Sequence, residues 1–279
     1  MAASPIDESD GRLMSLELYQ CQSLRFPGPP GNESMTHDVY SRERSDAPAV
    51  IVLHELFGLS PAAIDLGDFL TDSFSVYLPS LFGRPGRGGV ANAARAFCVR
   101  REFSFFLTGK TSPIAAWVRG LAGFAAERAA GRPVGVIGMC LTGGVVFAAI
   151  ADSQVGAGVA SQPSLPFPWL GPLTPVRTRE DLGTSPGDLE EAVSSQTPLM
   201  MLRYRQDWRC PAERAASATE TFGGVDDFET DSEDSRVRRA DGEQITLIEI
   251  DGGRHSVLGV DLNPRAGDLV KEYLQIHLG

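Results

Sequence analysis

Lysine is scarce in this sequence of 279 residues, where Lys110 and Lys271 are the two lysines among 25 basic residues. Acidic residues number 36, so the formal net charge is −11 at pH 7. The sequence also lacks any run of basic residues. Because nucleic-acid binding depends on neutralising phosphates with positive charge, this composition argues against a nucleic-acid partner.

Secretory and membrane signals are also missing from the sequence. The first twelve residues are acidic and contain neither a positively charged start nor an apolar stretch, so we expect no signal peptide and a cytoplasmic location. One uncharged run, residues 134–151, reaches the lower length limit for a membrane span, but it contains four glycines. A buried strand that turns into a buried helix fits this run better, so no membrane partner is expected.

Cysteine is sparse and shows no pairing motif. The four cysteines are far apart and form no Cys-x-x-Cys pair: Cys21, Cys98, Cys140 and Cys210. In a reducing compartment such cysteines are expected to be free thiols rather than disulfides.

The pattern of apolar residues predicts the fold class. Hydrophobic residues make up 42% of the chain, which is typical of a soluble globular protein with a large core. Apolar runs bounded by turn residues predict strands at 50–54, 74–78, 134–138, 155–160, 199–204 and 245–250. Segments with helical spacing lie at 62–70, 91–107, 114–129, 142–151, 212–222 and 265–277. Alternating strands and helices require crossover connections, so we predict an α/β fold with a mainly parallel central sheet and helices on both faces.

One α/β domain is expected over residues 35–279, after an N-terminal tail and peripheral segment at 1–34. Three stretches interrupt its pattern. Residues 80–90 form a Gly/Pro/Arg-rich loop, and residues 162–187 contain six prolines that suggest a cap or lid. Residues 223–243 are acidic and almost free of apolar side chains, so a flexible excursion is expected there.

A candidate nucleophile lies where the predicted strand at 134–138 gives way to a helix. The segment Gly-Met-Cys-Leu-Thr-Gly at 138–143 has the context of a nucleophile elbow, with Cys140 at the turn. A helix N-terminus behind the turn stabilises a thiolate and offers an N–H group to an oxyanion. A small buried cysteine without chemistry is the alternative interpretation.

Two further strand ends supply an acid and a histidine. Asp207 follows the strand at 199–204, and His255 lies in a Gly-rich loop after the strand at 245–250. The chain order is nucleophile, acid, histidine, with separations of 67 and 48 residues, which is the order of α/β-hydrolases. The alternatives are a surface histidine and an acid that caps the helix after Pro211.

Two motifs carry a resemblance to a known family. His54-Glu55-Leu56-Phe57-Gly58 matches a His-Glu-aliphatic-Phe-Gly element, and the elbow matches Gly-x-Cys-x-Gly-Gly except that Thr142 replaces a glycine. The sequence therefore resembles the dienelactone hydrolase family, cysteine-dependent members of the α/β-hydrolase fold, over roughly residues 35–279. The β-branched side chain of Thr142 is expected to alter the local geometry of the elbow.

The resemblance implies roles for the residues at these motifs. It makes Cys140 the nucleophile, His255 the base and Asp207 the acid that orients the base, while the backbone N–H groups of Leu56 and Leu141 form the oxyanion hole. Like-charge repulsion from a carboxylate disfavours a thiolate. The resemblance gives Glu55 the role of a resting-state partner of the cysteine, which leaves when substrate binds.

The resemblance defines the substrate less closely than it defines the catalytic residues. Arg84 occupies a position where the family binds a substrate carboxylate, but Gly259 stands where a second arginine is expected. A two-arginine carboxylate clamp is therefore not supported, and an apolar or larger ester fits as well. Aromatic residues are available to line a pocket for it: Phe82, Phe167 and Trp169.

We therefore expect hydrolysis of a small-molecule ester or lactone through an acyl-cysteine intermediate, with no metal or organic cofactor. An acyltransferase or cyclase that uses the same cysteine is an alternative. A catalytically silent protein that binds a small ligand is another. The sequence leaves the substrate and the oligomeric state open.

Overall fold

The computed structural model describes residues 16–86, 111–164, 179–225, 227–260 and 262–279. The strands are β1 Gln20–Phe26, β2 Met35–Arg42, β3 Ala49–Leu53, β4 Ser75–Ser80, β5 Val134–Met139, β6 Val155–Ser161, β7 Leu199–Tyr204, β8 Glu229–Thr230, β9 Val237–Asp241 and β10 Ile245–Ile250. The helices are α1 Pro61–Leu70, α2 Pro113–Arg128, α3 Gly143–Ala149, α4 Pro186–Ser195, α5 Ala212–Thr221 and α6 Pro264–Leu278.

The ten strands of the described residues form one sheet in the order β1-β2-β4-β3-β5-β6-β7-β10-β9-β8. The six central strands, from β4 to β10 in this order, run parallel, and an antiparallel pair extends each edge. Buried side chains of α2, α3, α4 and α5 pack on one face, while those of α1 and α6 pack on the other. The predicted single α/β domain with a mainly parallel sheet is therefore confirmed.

The six predicted strands are the six central ones, because a strand buried on both faces has a continuous apolar sequence. The predicted helix at 91–107 lies outside the described residues, as does most of the Pro-rich segment at 162–187. Helix α4 was not predicted, and it begins inside that segment, where Ser185 Oγ accepts a hydrogen bond from the backbone N–H of Asp188 at 3.1 Å. Among the described helices, none is long and apolar enough to cross a membrane.

The predicted flexible excursion at 223–243 is wrong for its second half. Strand β9 lies within it and pairs antiparallel with β10. Val237 and Ala240 are buried, and Arg238 forms an ion pair with Glu249 of β10. Pairing with a sheet edge satisfies the backbone groups of this polar segment, so it needs little apolar surface of its own. The N-terminal peripheral segment likewise contributes the edge strand β1.

The parallel strands bring the predicted functional residues to one edge of the sheet. Glu55 follows β3, Cys140 follows β5, Asp207 follows β7 and His255 follows β10. The carboxyl ends of parallel strands lie at the same edge, and loops at this edge carry ligand sites in open α/β sheets.

Candidate active site

Cys140 lies on a sharp turn between β5 and α3. Its φ of 55° is in the left-handed region, which is unfavourable for a residue with a side chain by about 1–3 kcal/mol. The turn depends on two glycines. A Cβ atom on Gly138 would lie 2.4 Å from the carbonyl oxygen of Thr142, and one on Gly143 would lie 2.8 Å from Cα of Pro163. The close approach of these backbones therefore fixes the strained position of the cysteine.

Thr142 binds the elbow to the end of β3. Its hydroxyl accepts a hydrogen bond from the backbone N–H of Met139 at 3.0 Å. The same oxygen lies 3.2 Å and 3.1 Å from the carbonyl oxygens of Leu53 and His54. The side chain that replaces the family's glycine is fully buried, and its hydroxyl group links the elbow to the backbone just before Glu55.

Asp207 and His255 form a short hydrogen bond. Oδ2 of Asp207 lies 2.6 Å from Nδ1 of His255, and the other carboxylate oxygen accepts from the backbone N–H of Arg209 at 2.9 Å. The side chain of Asp207 is 1% exposed and that of His255 is 12% exposed. Helix α5 has Pro211 as its N-cap, so Asp207 does not cap it.

The protonation of His255 reflects both of its neighbours. Burial alone lowers the pKa of the imidazole, but the hydrogen bond to Asp207 and the adjacent Cys140 raise it to about 10. Nε2 is buried and makes no full hydrogen bond within the described chain. Cys140 is nonetheless near enough to contribute to the raised pKa of the ring.

Ser164 contacts the sulfur atom of Cys140. Its Oγ lies 3.2 Å from Sγ, and its backbone N–H donates a hydrogen bond to the carbonyl oxygen of Cys140 at 3.1 Å. Both side chains are buried. Ser164 is not among the residues predicted from the sequence. Its position three residues after β6, at the same sheet edge, was the available signal.

Glu55 is held by residues of two other loops. Its Oε1 accepts hydrogen bonds from Nε2 of Gln162 at 2.8 Å and from Oγ of Ser256 at 2.5 Å. Gln162 has a φ of 34° and accepts a further bond from the backbone N–H of Val257. The carboxylate is buried beside the loop that carries His255. Its predicted interaction with the cysteine in the resting state stays a prediction.

His54 is a structural residue. Its Nε2 accepts a hydrogen bond from the backbone N–H of Leu81 at 3.0 Å, so Nδ1 carries the proton and donates to the carbonyl oxygen of Glu55 at 2.9 Å. Complete burial lowers the pKa of His54 to about 4. The neutral imidazole therefore joins the loop after β3 to the loop after β4. Phe82, predicted to line a pocket, packs edge-on against this ring at 4.6 Å.

The remaining predicted residues occupy loops at the same edge. Leu56 lies in a turn closed by the hydrogen bond from Gly58 N–H to the carbonyl oxygen of Glu55 at 3.0 Å, and Leu141 follows the cysteine in a 3₁₀ turn. Arg84 is exposed on the loop after β4. The two other predicted aromatic residues, Phe167 and Trp169, lie outside the described residues.

Arg214, which is also not predicted from the sequence, joins three loops near the site. The side chain is fully buried at the start of α5. Its guanidinium donates hydrogen bonds to the carbonyl oxygens of Asp181, Pro163 and Arg209, at 2.8 to 3.1 Å. It therefore connects the backbone before Ser164 to the backbone after Asp207.

An elbow after β5, an acid after β7 and a histidine after β10, on a mainly parallel sheet, define an α/β-hydrolase fold. Many solved structures share this fold at low sequence identity, among them the following three. One from Klebsiella pneumoniae, described as a dienelactone hydrolase, has a TM-score of 0.58 and 14% identity, covering 93% of this chain and 98% of that one. An esterase of Pyrococcus furiosus has a TM-score of 0.56 and 14% identity, covering 100% and 98%. Est1E of Butyrivibrio proteoclasticus, bound to ferulic acid, has a TM-score of 0.58 and 12% identity, covering 87% and 95%.

The model of the dienelactone hydrolase family matches residues 37–226, and the chain belongs to this family. The match includes Cys140 and Asp207 and ends before His255. Comparison with curated protein sequences found no match. The family and the fold identify the protein as a hydrolase.

Proposed function

We propose that this protein hydrolyses a small-molecule ester or lactone through an acyl-cysteine intermediate. The observation that carries the proposal is the 2.6 Å hydrogen bond between Asp207 and His255, with Cys140 beside the same imidazole. A histidine oriented by an acid is the usual means of activating a nucleophile at such an elbow. The family relationship supports the same reaction class.

In the first half-reaction, His255 holds the proton of Cys140, in line with its raised pKa, and the sulfur attacks the carbonyl carbon of the substrate as the thiolate. The electron pair of the C=O bond moves to oxygen, where the backbone N–H groups of Leu56 and Leu141 stabilise it. When the C=O bond re-forms, the C–O bond to the alcohol breaks and His255 gives its proton to the leaving alkoxide. The product of this step is the acyl-cysteine.

In the second half-reaction, His255 takes a proton from water, and the hydroxide attacks the thioester carbon. Collapse of this second tetrahedral intermediate breaks the C–S bond, and the thiolate recovers the proton from His255. Asp207 keeps Nδ1 of His255 protonated in both steps, which directs Nε2 towards the cysteine. The bonds and protons of both half-reactions balance without a metal or an organic cofactor.

Two further roles follow from the family. Glu55 acts as the resting-state partner of Cys140, and Gln162 and Ser256 hold its carboxylate near the site. Arg84 contacts the substrate from the loop after β4. Both roles stay predictions.

Intact mass after exposure to a panel of esters and lactones tests the proposal. Cys21 is exposed and Cys98 lies outside the described residues, so both are replaced by serine in the starting protein. Cys210 is fully buried, and burial raises its pKa to about 12, so it is expected to be unreactive. We expect an acyl adduct that disappears in Cys140→Ala together with turnover. Full turnover in Cys140→Ala contradicts the mechanism, and products other than the free acid identify an acyltransferase or cyclase.

A further inference from the structure

A buried arginine, Arg203, lies on β7 four residues before the candidate acid Asp207. Its side chain is 3% exposed, and that of its ion-pair partner Glu249 on β10 is 7% exposed. The two residues stand directly opposite each other in the parallel pairing of β7 with β10. Because removing two charges from water offsets most of their attraction, a buried pair of this kind is weak evidence for a role in stability.

Arg203 holds both ends of the loop that carries Asp207. Its Nη2 donates to the carbonyl oxygen of Arg205 at 2.9 Å, and its Nε donates to the carbonyl oxygen of Cys210 at 3.0 Å. The remaining nitrogen, Nη1, donates to Oε1 of Glu249. One planar guanidinium therefore fixes the loop before and after the acid, and the carboxylate of Glu249 fixes the guanidinium.

The two halves of this loop are held in different ways. In the first half, the N–H groups of Arg205 and Gln206 donate to the carbonyl oxygens of Ile250 and Gly252, at 2.8 and 3.0 Å. These backbone bonds continue the contact with β10 up to the residue before the acid. In the second half, residues 208–210, arginine side chains bind the backbone carbonyl groups.

The second half of the loop orients the carboxylate of Asp207. The backbone N–H of Arg209 donates to Oδ1 at 2.9 Å, while Oδ2 lies 2.6 Å from Nδ1 of His255. Arg203 holds the carbonyl group of the next residue, Cys210. A displacement of this segment therefore turns the carboxylate away from the imidazole, so Arg203 acts on the acid through the backbone.

Arg238 of β9 provides a comparison within the same cluster of charges. Its Nε donates to Oε2 of Glu249 at 2.9 Å, and the two residues are opposite each other in the antiparallel pairing of β9 with β10. Arg238 thus shares the carboxylate with Arg203, but its strand lies on the far side of β10 from β7. It tests the ion pair without the loop.

We propose that Arg203 is a positioning residue: held by Glu249, it fixes the loop that directs Asp207 towards His255. The proposal rests on the proposed function and adds a residue to it. The buried charge pair thereby serves the geometry of the site.

Arg203→Met removes the three hydrogen bonds and keeps a long side chain. We expect kcat for p-nitrophenyl butyrate to fall by about 10- to 100-fold with little change in KM, because a small displacement of a catalytic group has an effect of this size. Arg238→Met is the matched control and is expected to change kcat by less than about twofold. Equal losses in the two variants overturn the inference.

A double-mutant cycle separates positioning from a purely structural role. In the Asp207→Asn background the carboxylate is already lost, so adding Arg203→Met is expected to lower kcat by less than about threefold. Destabilisation of the fold alone lowers kcat by the same factor in both backgrounds. Equal factors therefore contradict the proposal.

NMR titration of His255 gives a measurement that needs no turnover. A displaced Asp207 no longer raises the pKa of the imidazole, so Arg203→Met is expected to lower it from about 10. Loss of a positive charge without displacement has the opposite sign. An unchanged or raised pKa overturns the inference. A lowered pKa in a protein whose Cys140→Ala variant keeps full turnover contradicts the cysteine mechanism alone.

Arg203→Lys carries the test if the methionine variant does not fold. Lysine keeps the ion pair with Glu249, but its ammonium group lacks the planar fork that spans the two carbonyl oxygens. Both kcat and the pKa of His255 are expected to fall in this variant as well. Wild-type values of both in a folded Arg203→Lys protein contradict the proposal.

Discussion

Ser164 Oγ lies 3.2 Å from Cys140 Sγ inside the protein, and the backbone of Ser164 is bonded to the carbonyl oxygen of the same cysteine. The two contacts fix the hydroxyl group relative to the sulfur atom. A hydroxyl group that donates to a thiolate favours the charged form of the cysteine over the neutral thiol. Ser164 is therefore expected to assist formation of the thiolate.

Ser164→Ala is expected to slow the alkylation of Cys140 several-fold at a fixed pH, since it removes the hydroxyl group that contacts the sulfur atom. We expect kcat to fall several-fold with little change in KM. Alkylation by iodoacetamide, followed by mass spectrometry in the variant lacking Cys21 and Cys98, gives the rate. Ser194→Ala, on the exposed surface of α4, is the control. An unchanged alkylation rate would show that the contact is only packing.

Asp207→Asn is expected to lower the pKa of His255 from about 10, because it removes one of the two neighbours that raise it. The imidazole loses its orientation, so kcat is expected to fall by about 100-fold or more. NMR titration of the histidine ring gives the pKa, and Cys140→Ala is expected to lower it as well. Asp251→Asn changes an exposed ion pair with Arg205 and serves as the control. A variant that changes thermal stability alone would assign Asp207 a structural role.

The stability of the fold is expected to decrease as the pH falls from 6.5 to 4. Burial lowers the pKa of His54 to about 4 in the folded protein, while the unfolded chain has the ordinary value of 6.5. The unfolded state therefore binds a proton first, and the free energy of unfolding decreases through this range by up to about 3 kcal/mol. His37, whose pKa is also lowered to about 4 by burial, acts in the same direction.

Urea unfolding at several pH values measures this effect, and His54→Gln is expected to reduce the slope. His277→Gln is the comparison, because this histidine lies at the end of α6 and is less buried. Equal slopes in the wild type and in His54→Gln would contradict the assignment.

Val237→Ala is expected to destabilise the protein by about 1–3 kcal/mol, since the valine is fully buried on β9. Arg239→Ala, on the exposed side of the same strand, is expected to change stability by less than about 0.5 kcal/mol. Chemical unfolding of both variants tests whether this segment belongs to the sheet. Equal, small effects would restore the earlier expectation of a flexible excursion.

The predictable part of the structure is the part that has a local sequence signal. The central strands are apolar over their whole length, and Cys140 lies in a short motif that needs only a strand, a turn and a helix. Strand β9 has no such signal, because Arg238 and Arg239 interrupt the alternation of apolar and polar residues that is typical of a strand. Its structure depends on the pairing with β10.

The site residues that the sequence does not predict have contacts with residues that are distant in the chain. Ser164 is 24 residues from Cys140, and Gln162 is 107 residues from Glu55. Their polar side chains look like ordinary loop residues in the sequence. The topology of the sheet gives them a role, because β6 ends between the strands that carry the cysteine and the acid.

The buried guanidinium of Arg214 makes the surroundings of Cys140 and those of Asp207 respond as one cooperative unit. Its bonds to the carbonyl oxygens of Pro163 and Arg209 break only if one of the two loops separates from α5. Opening either loop leaves donors unsatisfied in the interior, which is unfavourable unless water enters. Backbone amides on both sides of the site are therefore expected to exchange with deuterium at similar opening free energies, although Ser164 and Asp207 are 43 residues apart in the chain.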